Sequence, residues 1–363
     1  MKNTSLVTRL LAAATAAVVI AGAVALPAAA ATAATTVTAK PSVQENLDRL
    51  TRADGFAGAV LQVRDARGRS RTYTSGTAAR GTGRPMVGGE ARMRAASMTK
   101  PVVAAAVLDQ VARGRLDLDE KVETYLPGVL GGRAVTVRQL LQHTSGLPEY
   151  LDAIDWTRPG TPEEQLKLAL AKEPLGEPGE RWSYSNTNYL VAGMLLGDDF
   201  RKVVESRILR PYGMKRTYWP AEGELTIRGR HARNYGVSPA DPKGGVADIT
   251  ELPGHAFGAA GGLVSTPADL NVFWQRLPAS TLKTMTAGAV PADAPYGHYG
   301  LGVARVTTSC GRTVWMHDGG LPGVSVLSGR DAAGRAATVY VTGAADTPAK
   351  NAHLVAAFDS AFC

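Results

Sequence analysis

Several chemistries are missing from this sequence. It has only two cysteines in 363 residues. Its six histidines are scattered and form no cluster at metal-ligand spacing. There is no H-E-x-x-H, no P-loop and no complete G-x-G-x-x-G, so metalloprotease, nucleotide-phosphate and dinucleotide motifs are all absent. No G-x-S-x-G elbow occurs, which argues against an ordinary α/β-hydrolase. Aromatic residues make up 6% of the chain, and no dense Lys/Arg run is interleaved with them. Nucleic acid is therefore not an expected partner, although the formal charge is +8. The basic residues are mostly scattered arginines, which fits at most a mild attraction to anionic cell-wall polymers or membrane surfaces. Beyond Leu26 no apolar run is long enough to span a bilayer.

What is present reads as a globular chain, 45% apolar. Lys2 and Arg9 precede an apolar run from Leu10 to Leu26, and Ala31-Thr32-Ala33 gives an A-x-A pattern. Residues 1–33 are thus expected to be a signal peptide, the alternative being a retained anchor. The protein would then be secreted, soluble and without a stable membrane anchor, its mature domain running from 34 to 363. An even cysteine count in an exported chain favours a bridge between Cys310 and Cys363, pinning the C-terminal helix near Cys310.

Local patterns suggest a fold class. Val43 to Leu50 reads as an amphipathic helix. Ala57–Arg64 and Ser70–Ser75 form a hairpin across Asp65-Ala66-Arg67-Gly68. From Ser97 a mostly apolar helix runs to Gly114. Residues 115–240 look largely helical with Pro/Gly breaks. Short β-rich runs return after Gly258, at 301–306, 313–316, 324–327 and 337–342, and residues 349–358 close as a helix. The expected class is α/β in the α+β sense. One mostly antiparallel sheet, from about 40–100 and 241–363, is flanked by helices and carries a mainly helical insert at about 101–240.

Three segments could carry chemistry. Ser97-Met98-Thr99-Lys100 places a serine and a lysine one turn apart on a helix start. A serine hydroxyl needs a base to become a nucleophile, and a desolvated lysine can be that base. A second S-x-x-K copy, Ser280 to Lys283, lacks the apolar helix that follows Ser97. Tyr184-Ser185-Asn186 precedes an apolar helix and offers a general acid or base and an amide. His317-Asp318-Gly319-Gly320 is expected at the end of the strand 313–316, where glycines let backbone N–H groups face a substrate.

In that order these motifs resemble the penicillin-recognising serine hydrolases. The resemblance is closest to secreted actinomycete-type D-alanyl-D-alanine carboxypeptidases, which carry His-x-Gly as third motif, and extends to class C β-lactamases. Segments 140–147, 259–266, 299–302 and 360–363 match as well, so it spans about residues 42–363. It implies Ser97 as nucleophile, with Lys100 and Tyr184 handling its proton. Asn186, His317, Asp318 and Gly319 would bind substrate, and the backbone N–H groups of Ser97 and Gly320 would form the oxyanion hole. His143 and Ser145 look fold-supporting in this comparison. The implied activity is a D,D-carboxypeptidase acting through an acyl-enzyme on peptidoglycan stem peptides. The alternative is an esterase, amidase or β-lactamase on the same scaffold. Peptides, acyl compounds and β-lactams are the implied ligands, with no cofactor or metal, and a monomer is expected. Two departures bear on the substrate. Asp318 stands where the family usually has a hydroxyl that helps hold a carboxylate, and His255 stands where an aromatic residue often covers the substrate.

Overall fold

The early hairpin becomes one edge of the main sheet. A computed structural model describes residues 41–156, 158–238, 241–293 and 296–363, so the leader read in residues 1–33 lies outside the described residues. In chain order the strands are β1 (Gly58–Arg64), β2 (Ser70–Gly76), β3 (Met93–Arg94), β4 (Tyr235–Gly236), β5 (Ala247–Asp248), β6 (Val264–Ser265), β7 (Val290–Pro291), β8 (His298–Tyr299), β9 (Ala304–Thr307), β10 (Thr313–Leu321), β11 (Val324–Asp331) and β12 (Ala336–Val341). Eight of them form one antiparallel sheet in the order β2-β1-β12-β11-β10-β9-β8-β7. The chain's two ends meet where β1 pairs with β12, Ala59 opposite Val341 and Arg64 opposite Ala336.

The central strands are covered on both faces, so they read as near-continuous apolar runs. Every residue of β12 is buried. On one face, Val339 and Val341 pack with Leu47, Leu50, Leu354 and Phe358 of the Val43–Arg52 and Pro348–Ser360 helices. On the other, Tyr340 joins Trp274 and Phe273 of a Pro267–Arg276 helix and Val102 to Val107 of the Thr99–Ala112 helix. Each such aliphatic or aromatic side chain contributes roughly 1.5–3 kcal/mol by leaving water. The first helix starts at a capping box, Ser42 with Glu45. The last is capped by Thr347 with Pro348 behind it.

The bridge joins Cys310 to Cys363. Beside it Asp359 accepts from Ser309, 2.7 Å from its backbone N and 2.5 Å from its Oγ. The C-terminal helix is therefore tied to the β9–β10 turn.

Three readings of the sequence are corrected. The His317 motif does not end a strand. β10 continues to Leu321 because its pairing with β11 holds through Leu321 opposite Val324. The turn comes at Gly323, at φ +74°. The run at 301–306 starts later, at Ala304, because Gly302 takes φ +76° and breaks the extended chain. The stretch after Gly258, read only for its short strands and the closing helix, is helical before them. It holds two well-formed helices, Pro267–Arg276 and Ala279–Thr286, the first capped by Thr266.

Candidate active site

Ser97 lies on a single 3-10 turn, Ala96–Met98, which leads into the Thr99–Ala112 helix. That helix is buried almost all round from Thr99 to Leu108, which identifies it as a core helix. Its entry is strained. Ala96 sits at φ +50°, a left-handed conformation costing roughly 1–2 kcal/mol for a residue with a Cβ. Neighbours hold it there. Thr99 Oγ1 donates to Ala96 O at 2.7 Å, and Leu263 N donates to Thr99 Oγ1 at 3.2 Å. β10 packs so closely that a Cβ on Gly319 would lie 2.8 Å from Ala95 O and 3.0 Å from Ala96 Cβ. That explains glycine at 319 physically. At Gly320 a Cβ would meet nothing within 4 Å.

Lys100 has no exposed surface. Its Nζ lies 2.9 Å from Ser97 Oγ, 2.7 Å from Asn186 Oδ1 and 2.8 Å from Ala260 O. Burial pulls its pKa down to about 7, while the Glu149 and Asp318 carboxylates work in the opposite direction. Neutral Lys100 can donate to Asn186 and Ala260 and turn its lone pair to the Ser97 hydroxyl. Tyr184 OH is 2.9 Å from Ser97 Oγ on another side. Burial first, then the Asp318 charge, hold the Tyr184 phenol well above its usual pKa, so it is a protonated donor at neutral pH.

Asn186 precedes the Thr187–Leu195 helix. Its backbone N and its Nδ2 both donate to Glu149 Oε2, at 2.8 and 2.9 Å. Glu149 also accepts from Leu151 N at 2.9 Å. This carboxylate was missed in the sequence, where a lone glutamate after Pro148 forms no motif.

His317 is fully buried. Its Nδ1 donates to Asp318 O at 2.5 Å, and its Nε2 accepts from Tyr299 OH at 2.8 Å. Burial lowers its pKa to about 4, Asp318 opposing and Lys100 adding to the shift. It is therefore a neutral imidazole with both nitrogens engaged by the protein, its ring 6.3 Å from that of Tyr184. Asp318 is 37% exposed at its side chain, and its charge raises the pKa values of Lys100 and Tyr184. It accepts from Tyr296 OH, and Tyr296 stacks on Tyr184 at 6.5 Å.

A small cavity of about 40 Å³ opens on Ser97, Asn186 and Gly320, with Leu151, Phe257 and Leu321 as apolar wall. The aromatic cover is Phe257. His255, two residues earlier, belongs to the same 3-10 turn but does not line this cavity. Ser280 and Lys283 of the second S-x-x-K copy are exposed on the Ala279–Thr286 helix. Among the described residues, no group of His, Cys, Asp and Glu is placed to hold a metal ion. No described helix is long and apolar enough to cross a membrane.

The profile of the family described as Beta-lactamase matches residues 43–361. The chain belongs to the beta-lactamase family of penicillin-recognising serine hydrolases. Solved members of similar shape include a D-stereospecific amidohydrolase from Streptomyces sp., with TM-score 0.75, 32% identity and coverage of 87% of this chain and 97% of that one. Another is the D-amino acid amidase from Ochrobactrum anthropi SV3, complexed with L-phenylalanine amide, with TM-score 0.76, 27% identity and coverage of 88% and 97%. Curated relatives match over less. Esterase EstB of Burkholderia gladioli is 36% identical over 164 residues, 39% of this chain and 41% of its own length. A penicillin-binding protein of Bacillus subtilis (strain 168) is 33% identical over 132 residues, 34% of this chain and 29% of its own. The matches thus span well under half of these curated relatives.

Proposed function

We propose that this beta-lactamase-family hydrolase cleaves amides and esters whose acyl part carries a free ammonium group beside the carbonyl. These are D-amino-acid amides and peptides with a D-residue at the N-terminus. One observation carries the reading: beside Ser97 a partly exposed carboxylate, Asp318, acts on Lys100 and Tyr184, while the nearby Lys100 and His317 are both engaged by the protein. Neutral Lys100 spends its two donors on Asn186 and Ala260 and its lone pair on the Ser97 hydroxyl. His317 is neutral, buried and doubly bonded. Asp318 is partly exposed, and its charge bears on Lys100 and Tyr184. A substrate carboxylate would meet repulsion, whereas an ammonium would be attracted. The shape neighbours named as D-amino acid amidase and D-stereospecific amidohydrolase support the same substrate class.

In this reading neutral Lys100 takes the Ser97 proton as Oγ attacks the carbonyl carbon. The backbone N–H groups of Ser97 and Gly320 receive the oxyanion. Tyr184 gives a proton to the departing amine and is recharged from Lys100. The acyl group remains on Ser97 as an ester until a water, deprotonated by the same pair, releases the acid. Asn186, clamped by Glu149, holds Lys100 in place. The steps use side chains and backbone alone.

A D,D-carboxypeptidase on peptidoglycan stem peptides is the second reading, supported by the matches to penicillin-binding proteins. It needs a group to hold the terminal carboxylate. Secretion into the cell-wall space is part of both readings, in keeping with the disulfide. The deciding experiment compares D-phenylalanine amide, its N-acetyl derivative and an N-acylated D-Ala-D-Ala peptide, with Ser97→Ala as control. Turnover of the free-amine amide alone, lost in Ser97→Ala, supports the first reading. Turnover of the D-Ala-D-Ala peptide alone sinks it in favour of the second.

A further inference from the structure

A second cavity lies far from Ser97, where three turns meet at the other end of the sheet. It measures about 200 Å³ and is lined by Arg67, Arg69, Arg312 and Arg335 with Asp65 and Asp331. Both acids are largely consumed by turn structure. Asp65 Oδ1 accepts from the backbone N of Arg67 and Arg69, and Asp331 Oδ1 from that of Arg335. Asp65 also pairs with the Arg69 guanidinium at 2.8 Å. Asp331 Oδ2 is buried without a hydrogen bond, Arg312 standing 3.8 Å away. The Arg67 guanidinium makes no hydrogen bond or ion pair among the described residues. Positive charge at this cavity therefore exceeds negative, and the forks of Arg67 and Arg312 are unfilled.

The platform is rigid. Gln275 Nε2 ties the β1–β2 and β11–β12 turns together, donating to Asp65 O at 2.8 Å and Gly334 O at 2.9 Å. The turn carrying Arg312 is fixed by the Cys310–Cys363 bridge, and Arg335 donates to Ala361 O at 3.1 Å. Arginine forks on a preorganised frame match the oxygens of a tetrahedral anion.

We propose that this cavity is an anion site that takes one phosphate group, as the free ion or as a monoester. Val314 opposite Asp331 and Gly320 at the Ser97 cavity are six residues apart on β10, or roughly 20 Å of strand. The site is thus separate from catalysis and independent of the substrate reading above.

Calorimetric titration of the full chain with inorganic phosphate, and separately with glycerol 3-phosphate, tests it. Saturable one-to-one binding is expected, weakened tenfold or more in Arg312→Ala and in Arg67→Ala, the latter removing a side chain without partners. Arg71→Ala removes equal charge from β2 outside the cavity and should bind within twofold of the native chain. The tighter of the two titrants identifies the free ion or the ester. Ser97-dependent turnover should be unchanged in all three variants, which also reports their folding. No saturable binding to the native chain, or an equal loss in Arg71→Ala, overturns the proposal.

Discussion

Asp318→Asn separates the two readings of substrate, and it acts on two observables at once. The substitution keeps shape and an acceptor for Tyr296 OH but removes the charge. An ammonium about 4 Å from a carboxylate gains about 4 kcal/mol at an effective dielectric of 20. Asp318 is 37% exposed, so solvent screening reduces this to about 1–2 kcal/mol, or roughly 5- to 30-fold in kcat/KM. That loss should fall on D-amino-acid amides and spare their N-acetyl derivatives or neutral esters. The second observable is the pH profile. Acylation requires neutral Lys100, so the rate should rise with pH through about 7 and level off above it. The Asp318 carboxylate raises the Lys100 pKa, so removing it should move this acid limb to lower pH. The assay is kcat/KM against pH for both substrate types. Equal losses on charged and acetylated substrates, or an acid limb moving upward, would refute the reasoning.

The remaining expectations concern the frame around Ser97. Lys100→Met should abolish acylation. It should also remove a pH dependence of stability: the folded pKa of about 7 lies below the usual 10.5, so between these values the unfolded chain binds the extra proton and stability rises with pH. Denaturant melts from pH 7 to about 10 should show the slope in the native chain and not in the variant. Gly319→Ala forces a Cβ to 2.8 Å from Ala95 O and Val326 Cγ1 and should cost about 1–3 kcal/mol by overpacking along with most of kcat. Gly320→Ala meets nothing and should leave the melting point unchanged. Cys363→Ser opens a 53-residue loop, worth about 4 kcal/mol in the chain-entropy model, or roughly 8 °C in midpoint for a domain of this size. His143→Leu removes the ring stacked on Tyr184 at 4.3 Å and should lower kcat more than it raises KM. A pure change in midpoint with normal kcat would deny His143 a positioning role.

What the sequence made legible was local. A hairpin needs only neighbouring residues, so β1 and β2 could be read from alternation and a turn. The serine and lysine one turn apart on a helix start could be read from spacing. Long-range geometry left fainter traces. Glu149 reaches Asn186 across 37 positions, and one glutamate in a loop has no period to betray it. The resemblance implies His317 as a substrate-binding group, at the end of a strand taken to stop at Met316. β10 runs on to Leu321, and within it His317 is buried with Tyr299 OH on its Nε2 and its ring 6.3 Å from that of Tyr184, while Asp318 beside it is partly exposed.

Burial bears on which group activates Ser97, a choice the motifs left open between Lys100 and Tyr184. Both touch Oγ at 2.9 Å, so distance does not choose between them. Burial does, because it disfavours whichever form is charged. For Lys100 burial favours the neutral amine, which is the base. For Tyr184 it favours the neutral phenol, which is the acid. The same dry pocket thus moves two groups of similar ordinary pKa in opposite directions, and the exposed Asp318 pushes both upward. If this is the division of labour, Tyr184→Phe should leave the acid limb near pH 7 in place and lose rate most for amides, whose leaving amine needs a proton. Activated esters, whose leaving groups depart as anions, should lose least. An acid limb that vanishes with the tyrosine would reverse the assignment and make Tyr184 the base.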